Sequence, residues 1–180
     1  MSGVPVAAHV ALIGLMGSGK STVGRLVAAE LDRPLEDVDR RIEARTGREV
    51  RELWERGGEA AYRPLEREET LAVLTGAGPD VLAVPAGAVV DAEVLAALRR
   101  PEAFVVWLRV EVAELAARVT VGDHRPLLGD DPEALLAAQS AERSETYAAV
   151  ADVVLDAGSA TPEHLAMVVV AALRAADGAQ

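Results

Sequence analysis

The chain has 180 residues and a mass of 18.8 kDa, the size of one domain around one hydrophobic core. Its 18 basic and 29 acidic residues leave a net charge of −11, which excludes a sequence-independent grip on nucleic-acid phosphates or on an anionic membrane surface. The absence of Cys excludes disulfides, cysteine nucleophiles and thiolate metal sites, and His9, His124 and His164 have no metal-ligand spacing.

In chain order, residues 9–14 (HVALIG) form a short unbroken apolar run, the pattern of a strand buried on both faces. Residues 15–21 are glycine-rich and turn-like, and 22–31 carry Val23, Leu26, Val27 and Leu31 at helical spacing. A weak second strand is expected at 34–38. Short helices follow at 40–45 and 50–56, broken at Gly47 and at Gly57-Gly58. A longer helix is expected over 59–74 despite Pro64, then a strand at 81–84 ending at Pro85. Helix 91–99 has Asp91 as its cap, strand 103–108 reads AFVVWL, and helix 111–120 leads into a charged loop at 121–131. Helix 132–149 opens on a proline, 153–155 is a last strand, and 161–175 is a last helix capped by Thr161 with Pro162 at its first position. Strands alternating with helices predict a parallel sheet covered on both faces, with ligands beyond the carboxyl ends of the strands. With 51% hydrophobic residues, no run of membrane-spanning length and no basic segment ahead of the first apolar stretch, the expected location is the cytoplasm.

Residues 14–21, GLMGSGKS, match G-x-x-x-x-G-K-[ST] in full. The glycines let successive N–H groups turn toward phosphate oxygens, and the following helix presents its positive end. Gly17, Ser18, Gly19, Lys20, Ser21 and Thr22 are therefore the expected nucleotide contacts. Lys20 would reach the β- and γ-phosphates of ATP and the Ser21 hydroxyl would ligate Mg²⁺. Lys20 is also the one lysine among the 18 basic residues, the other 17 being arginines. A lysine replaced everywhere else has a chemical reason to remain here. The chain has no Asn, so the guanine-reading N-K-x-D motif is excluded.

Two further groups sit where such a fold places ligands. Asp37 and Asp39 follow the second strand, where one acid can hold Mg²⁺ and the other can orient a substrate hydroxyl, or both can serve as helix-capping surface acids. Arg63 lies one turn beyond Gly57-Gly58, Arg125 lies in the charged loop, and Arg143 lies on the following helix. An anionic chain binding a tetra-anionic nucleotide needs local positive potential, and arginine clamps carboxylates bidentately.

From position 10 to 151 the chain resembles the shikimate kinases, P-loop enzymes of the nucleoside-monophosphate-kinase-like group. The resemblance rests on GLMGSGKSTVGR, DVDRRIEARTGR, GGEAAYR (where the family usually has Phe before the Arg), HRPLL and RSETY, in that order. It implies an α/β three-layer sandwich with a five-stranded parallel sheet, and a monomer. The implied reaction is Mg²⁺-dependent transfer of the ATP γ-phosphoryl group to the 3-hydroxyl of shikimate, a step of aromatic amino-acid biosynthesis. It assigns Asp39 to the reacting hydroxyl, Asp37 to Mg²⁺, Arg63 and Arg143 to the substrate carboxylate, Arg118 to adenine and Arg125 to the phosphates. A lid over 122–131 and a substrate-binding region over 39–63 follow.

The chain departs from that pattern after its third strand. Pro85-Ala86-Gly87 stands where the family carries three glycines whose amides approach the substrate. Pro85 has no N–H, and Ala86 adds a methyl group where close approach is needed. A tolerated variant, a kinase for another hydroxy acid such as gluconate, and a non-catalytic ATP-binding module are the readings this leaves, with Ala86 and Gly87 still expected at the substrate. Trp54 and Tyr62 fit either the substrate pocket or the core, and His124 reads as a solvated loop residue.

Overall fold

A computed structural model describes residues 8–119 and 131–178. The expected lid, with Arg125 and His124, therefore lies outside the described residues except for Asp131.

The five strands are β1 (His9–Ile13), β2 (Leu35–Asp37), β3 (Val81–Ala83), β4 (Ala103–Arg109) and β5 (Val153–Asp156). They form one parallel sheet in the order β2-β3-β1-β4-β5, as the alternation of strands and helices predicts. The central pair is the most apolar. His9 to Ile13 lie beside Ala103 to Trp107 in register, and all ten of these residues are buried. Strands covered on both faces have no solvent side on which to alternate.

The helices are α1 (Lys20–Leu31), α2 (Val38–Thr46), α3 (Val50–Leu74), α4 (Ala92–Leu98), α5 (Val112–Val119), α6 (Pro132–Val150) and α7 (Pro162–Asp177). Helix α1 packs on α7, α2 on α3, and α5 on α6. Asp91, Asp131 and Thr161 cap α4, α6 and α7 by accepting from backbone amides. The expected break at Gly57-Gly58 is present as a bend within α3, where Gly58 has φ 61° and ψ −159°. Helix α3 runs on through Pro64, held by the burial of Tyr62, Glu66, Thr70, Val73 and Leu74. Each large apolar side chain so buried contributes about 1.5–3 kcal/mol, enough to offset one lost helical hydrogen bond.

An ion network fastens α2 to the rest. Arg41 donates to Glu36 at 2.8 Å and to Glu69 at 2.9 Å, and Arg45 donates to Glu69 at 2.9 Å and Glu68 at 2.5 Å. The bond to Glu36 is the largest reason the Arg41 guanidinium is held above its ordinary pKa. Among the described residues no helix is long and apolar enough to cross a membrane.

The strand order sets β1 between β3 and β4. The turns after β1, β2 and β3 therefore open side by side at the carboxyl edge of the sheet, and the site is built there.

Candidate active site

The turn after β1 is the phosphate loop. Gly14 has φ 147°, and a Cβ there would lie 2.7 Å from the Leu108 carbonyl oxygen, so no other residue fits. Gly17 and Gly19 are also left-handed, at φ 82° and 94°. Gly19 caps α1 without a side-chain acceptor, which leaves the first amides of a 12-residue helix for an anion. Lys20 Nζ donates back to the Gly14 and Leu15 carbonyls at 2.8 and 2.9 Å, so the ammonium is held inside the loop's own curve.

This loop forms one wall of a cleft of about 460 Å³, through Met16, Gly17, Gly19, Lys20, Ser21 and Thr22. Asp37, at the end of β2, and Asp39, in the first turn of α2, form a second wall, and Pro85 and Ala86, after β3, form a third. Ser18 differs from its neighbours: its amide donates to the Leu15 carbonyl at 3.2 Å, and its buried side chain points away from this cleft into a separate cavity. Arg118 closes the fourth side. It donates to the Gly17 carbonyl at 3.2 Å, to Glu114 at 2.6 Å and to the Ala157 and Gly158 carbonyls at 3.1 and 2.9 Å. One guanidinium thereby joins the phosphate loop to the turn after β5.

Asp37 has a structural task as well. Its Oδ1 accepts from the amides of Asp39 and Arg40 and caps α2. Its Oδ2 has no partner among the described residues and so can take a cation. Those residues contain no cluster of three acidic or histidine side chains able to hold a metal unaided. Mg²⁺ at a nucleotide needs no such cage, since phosphate oxygens and waters fill most of its octahedron.

A second cavity, of about 610 Å³, adjoins the first; Met16 and Ala86 line both. Its walls carry Trp54, Tyr62, Arg63, Glu66, Gly87 and Arg143. Arg63 donates to Glu66 at 2.5 Å, and through Nε and Nη2 to Glu59 at 2.8 and 2.7 Å. Burial works against its charge, but Glu66 and Glu59 more than offset this and hold its pKa above the ordinary value. Trp54 Nε1 and Arg143 Nε are buried and lack a hydrogen-bond acceptor among the described residues. Arg143 Nε lies 3.4 Å from Glu142 Oε2, so what the cavity offers an anion is the pair of guanidinium groups of Arg63 and Arg143.

The turn Pro85-Ala86-Gly87 lies where the two cavities meet. The Ala88 amide donates to the Pro85 carbonyl at 3.0 Å, and Gly87 has φ −81° and ψ −23°, a conformation open to any residue. The backbone here therefore needs no glycine for its shape. What Gly87 leaves is room: a Cβ would lie 1.7 Å from Arg63 Nη1 and would displace that guanidinium. The amides of Ala86 and Gly87 have no acceptor among the described residues. The Ala86 carbonyl is held by the Tyr147 hydroxyl at 3.0 Å and Arg143 Nη1 at 3.3 Å. Burial pushes the Tyr147 phenol up to about 12, so it stays protonated and keeps donating.

The fold thus brings Gly17, Gly19, Lys20, Ser21, Thr22, Asp37, Asp39, Ala86 and Arg118 to one cleft, and Arg63, Ala86, Gly87 and Arg143 to the adjoining one. Sequence reasoning missed Glu59 and Glu66. Their signal is an acid one helical turn to either side of Arg63, and Glu66 is further marked by its burial.

The shikimate kinase family model matches residues 16–174. A shikimate kinase of Caulobacter vibrioides is 41% identical over 169 residues, 93% of this chain and 82% of that protein. One from Thermobifida fusca is 39% identical over 98% of this chain and 99% of its own. The chain belongs to the shikimate kinase family. Its fold matches a shikimate kinase from Acinetobacter baumannii, solved in complex with shikimate, with a TM-score of 0.87 and 29% identity over 93% of each chain. As a member of this family the chain is an ATP-dependent small-molecule kinase, a nucleotide-binding transferase. The matched range includes the Pro85-Ala86-Gly87 turn.

Proposed function

We propose that this chain transfers the γ-phosphoryl group of ATP to the 3-hydroxyl of shikimate, as one domain acting as a monomer in the cytoplasm. The observation that carries the reading is the junction of the two cavities at Met16 and Ala86, with Asp39 facing the phosphate loop and two arginines on the far side. The loop amides and Lys20 hold the triphosphate, Arg118 lies against adenine, and Arg125 in the lid covers the phosphates. Ser21 and Asp37 would hold Mg²⁺, which when bound neutralises charge on the β- and γ-phosphate oxygens.

Arg63 and Arg143 take the carboxylate of the acceptor. The exchange is easy at Arg63, because the Glu59 carboxylate is largely exposed and can turn to water while buried Glu66 stays. The Ala86 and Gly87 amides donate to the acceptor. Asp39 accepts the hydroxyl proton as the acceptor oxygen bonds to the γ-phosphorus and the bond to the ADP oxygen breaks. A methyl group on Ala86 leaves both amides in place, which favours a tolerated variant over a non-catalytic module.

The test is coupled ADP release with Mg-ATP, with and without shikimate. Shikimate-dependent turnover well above the ATP-only rate is expected. Bound ATP with no acceleration by shikimate would sink the reading, and turnover with gluconate instead would replace it.

A further inference from the structure

Tyr62 is wholly buried, and its hydroxyl donates to Asp39 Oδ1 at 2.5 Å. The two residues sit on different helices, Asp39 in the first turn of α2 and Tyr62 four residues past the bend in α3. The Asp39 main chain is itself anchored, since its amide donates to Asp37 Oδ1 at 3.1 Å. One bond therefore holds the backbone of Asp39 and another holds its carboxylate. A carboxylate with a fixed donor on one oxygen has lost most of its freedom to rotate before any substrate arrives. That freedom is what a reaction must otherwise remove to align proton and acceptor.

We propose that Tyr62 is the positioning residue for Asp39, its hydroxyl holding one carboxylate oxygen so that Asp39 meets the acceptor hydroxyl in a single orientation. The proposal rests on the reading of Asp39 as the group that takes the hydroxyl proton. Tyr62 is well placed for this task. Its ring packs against Trp54 with centroids 5.4 Å apart, so the phenol oxygen is held from behind. Its neighbour Arg63 carries a guanidinium 5.9 Å from the Trp54 ring centroid. One segment of α3 thereby sets both the carboxylate clamp and the orientation of Asp39, and a shift of that segment moves the two together.

The competing account is that this bond only fastens α2 to α3. The structure supplies that fastening elsewhere. Arg41 and Arg45 reach Glu69 and Glu68, Glu43 accepts from the Val50 amide at 3.1 Å, and Val38, Ile42, Val50 and Leu53 are buried in the core. Removing one hydroxyl leaves all of this, and leaves the ring contacts with Trp54.

The experiment is Tyr62→Phe, Asp39→Ala and the double variant, each measured for kcat, both KM values and Tm. Tyr62→Phe is expected to lower kcat by about 10- to 150-fold, the range for one hydrogen bond to a charged group. Both KM values should stay within about twofold, and Tm within about 2 °C. In the Asp39→Ala background, by single-turnover measurement, adding Tyr62→Phe should change the rate less than about twofold, because the group it positions is gone. An unchanged kcat in Tyr62→Phe would overturn the proposal while leaving Asp39 in place, as long as Asp39→Ala is impaired. Equal losses in the two backgrounds, or a fall in kcat matched by a fall in Tm, would make Tyr62 a structural residue. Near-normal turnover by Asp39→Ala would remove the Asp39 reading and this proposal together.

Discussion

The phosphate half and the acceptor half of the site obey different constraints. On the phosphate side the loop presents backbone amides, and its backbone takes left-handed turns at Gly14, Gly17 and Gly19. Every position of the motif is present there. On the acceptor side Gly87 is in ordinary right-handed geometry, and the work falls to side chains carried on α3 and α6. The turn where the halves meet carries Pro85 and Ala86 where the shikimate kinases it resembles have glycines, Tyr62 stands where they usually have Phe, and the acceptor cavity keeps Arg63 and Arg143 in its walls. Where a conformation is reserved for glycine, no substitution is absorbed. Where a residue merely borders a ligand, a methyl or a hydroxyl can be accommodated and even used.

The strongest way to break this comparison is Lys20→Met. Turnover should fall by about a thousandfold or more, with far-UV circular dichroism unchanged, because the ammonium's bonds to the Gly14 and Leu15 carbonyls stay within its own loop. Next is Gly87→Ala. The new methyl must push the Arg63 guanidinium aside, so the KM for shikimate should rise roughly 10- to 100-fold while the KM for ATP stays within about twofold. Arg63→Ala should show the same split, and equal effects on both KM values would make the acceptor half no different from the phosphate half.

Smaller effects sharpen the contrast. Ala86→Gly and Pro85→Gly should each leave kcat/KM within about threefold, since the turn needs no glycine conformation. Pro85→Gly should lower stability by about 0.4–1 kcal/mol through a freer unfolded chain, measured by urea denaturation. The smallest effect lies away from the site. Partial burial beside β4 raises the Asp152 carboxyl above its ordinary pKa, partly opposed by the bond it accepts from the Val105 amide. A raised carboxyl favours the protonated fold, so the ionised form is a liability at neutral pH. Asp152→Asn keeps an acceptor for Val105 and should raise Tm by about 1 °C at pH 7. The gain should vanish as pH falls through the carboxylate range, because both chains are then neutral there.

Four of the five strands were legible as short apolar runs beside a turn signal, β2 (LED) only weakly, and the caps at Asp91 and Thr161 because the residue type states its own role. Lys20, at the end of the glycine-rich turn after β1, and Asp39, two residues past β2, were legible as a site for the same local reason. The partners of Arg63 and Tyr62 were not. Seventeen arginines make any one unremarkable, and nothing local distinguishes a tyrosine that packs from one that also donates 23 residues away.

By itself the sequence determined the alternation of strands and helices and the phosphate loop, because hydrophobic period and glycine conformation act over a few residues. Tertiary structure alone decided that Pro85-Ala86 needs no left-handed backbone. It decided that Gly87 makes room for Arg63, and that Tyr62 reaches Asp39. Those outcomes depend on how closely β3, α2 and α3 approach one another, a distance set by the packing of the whole core.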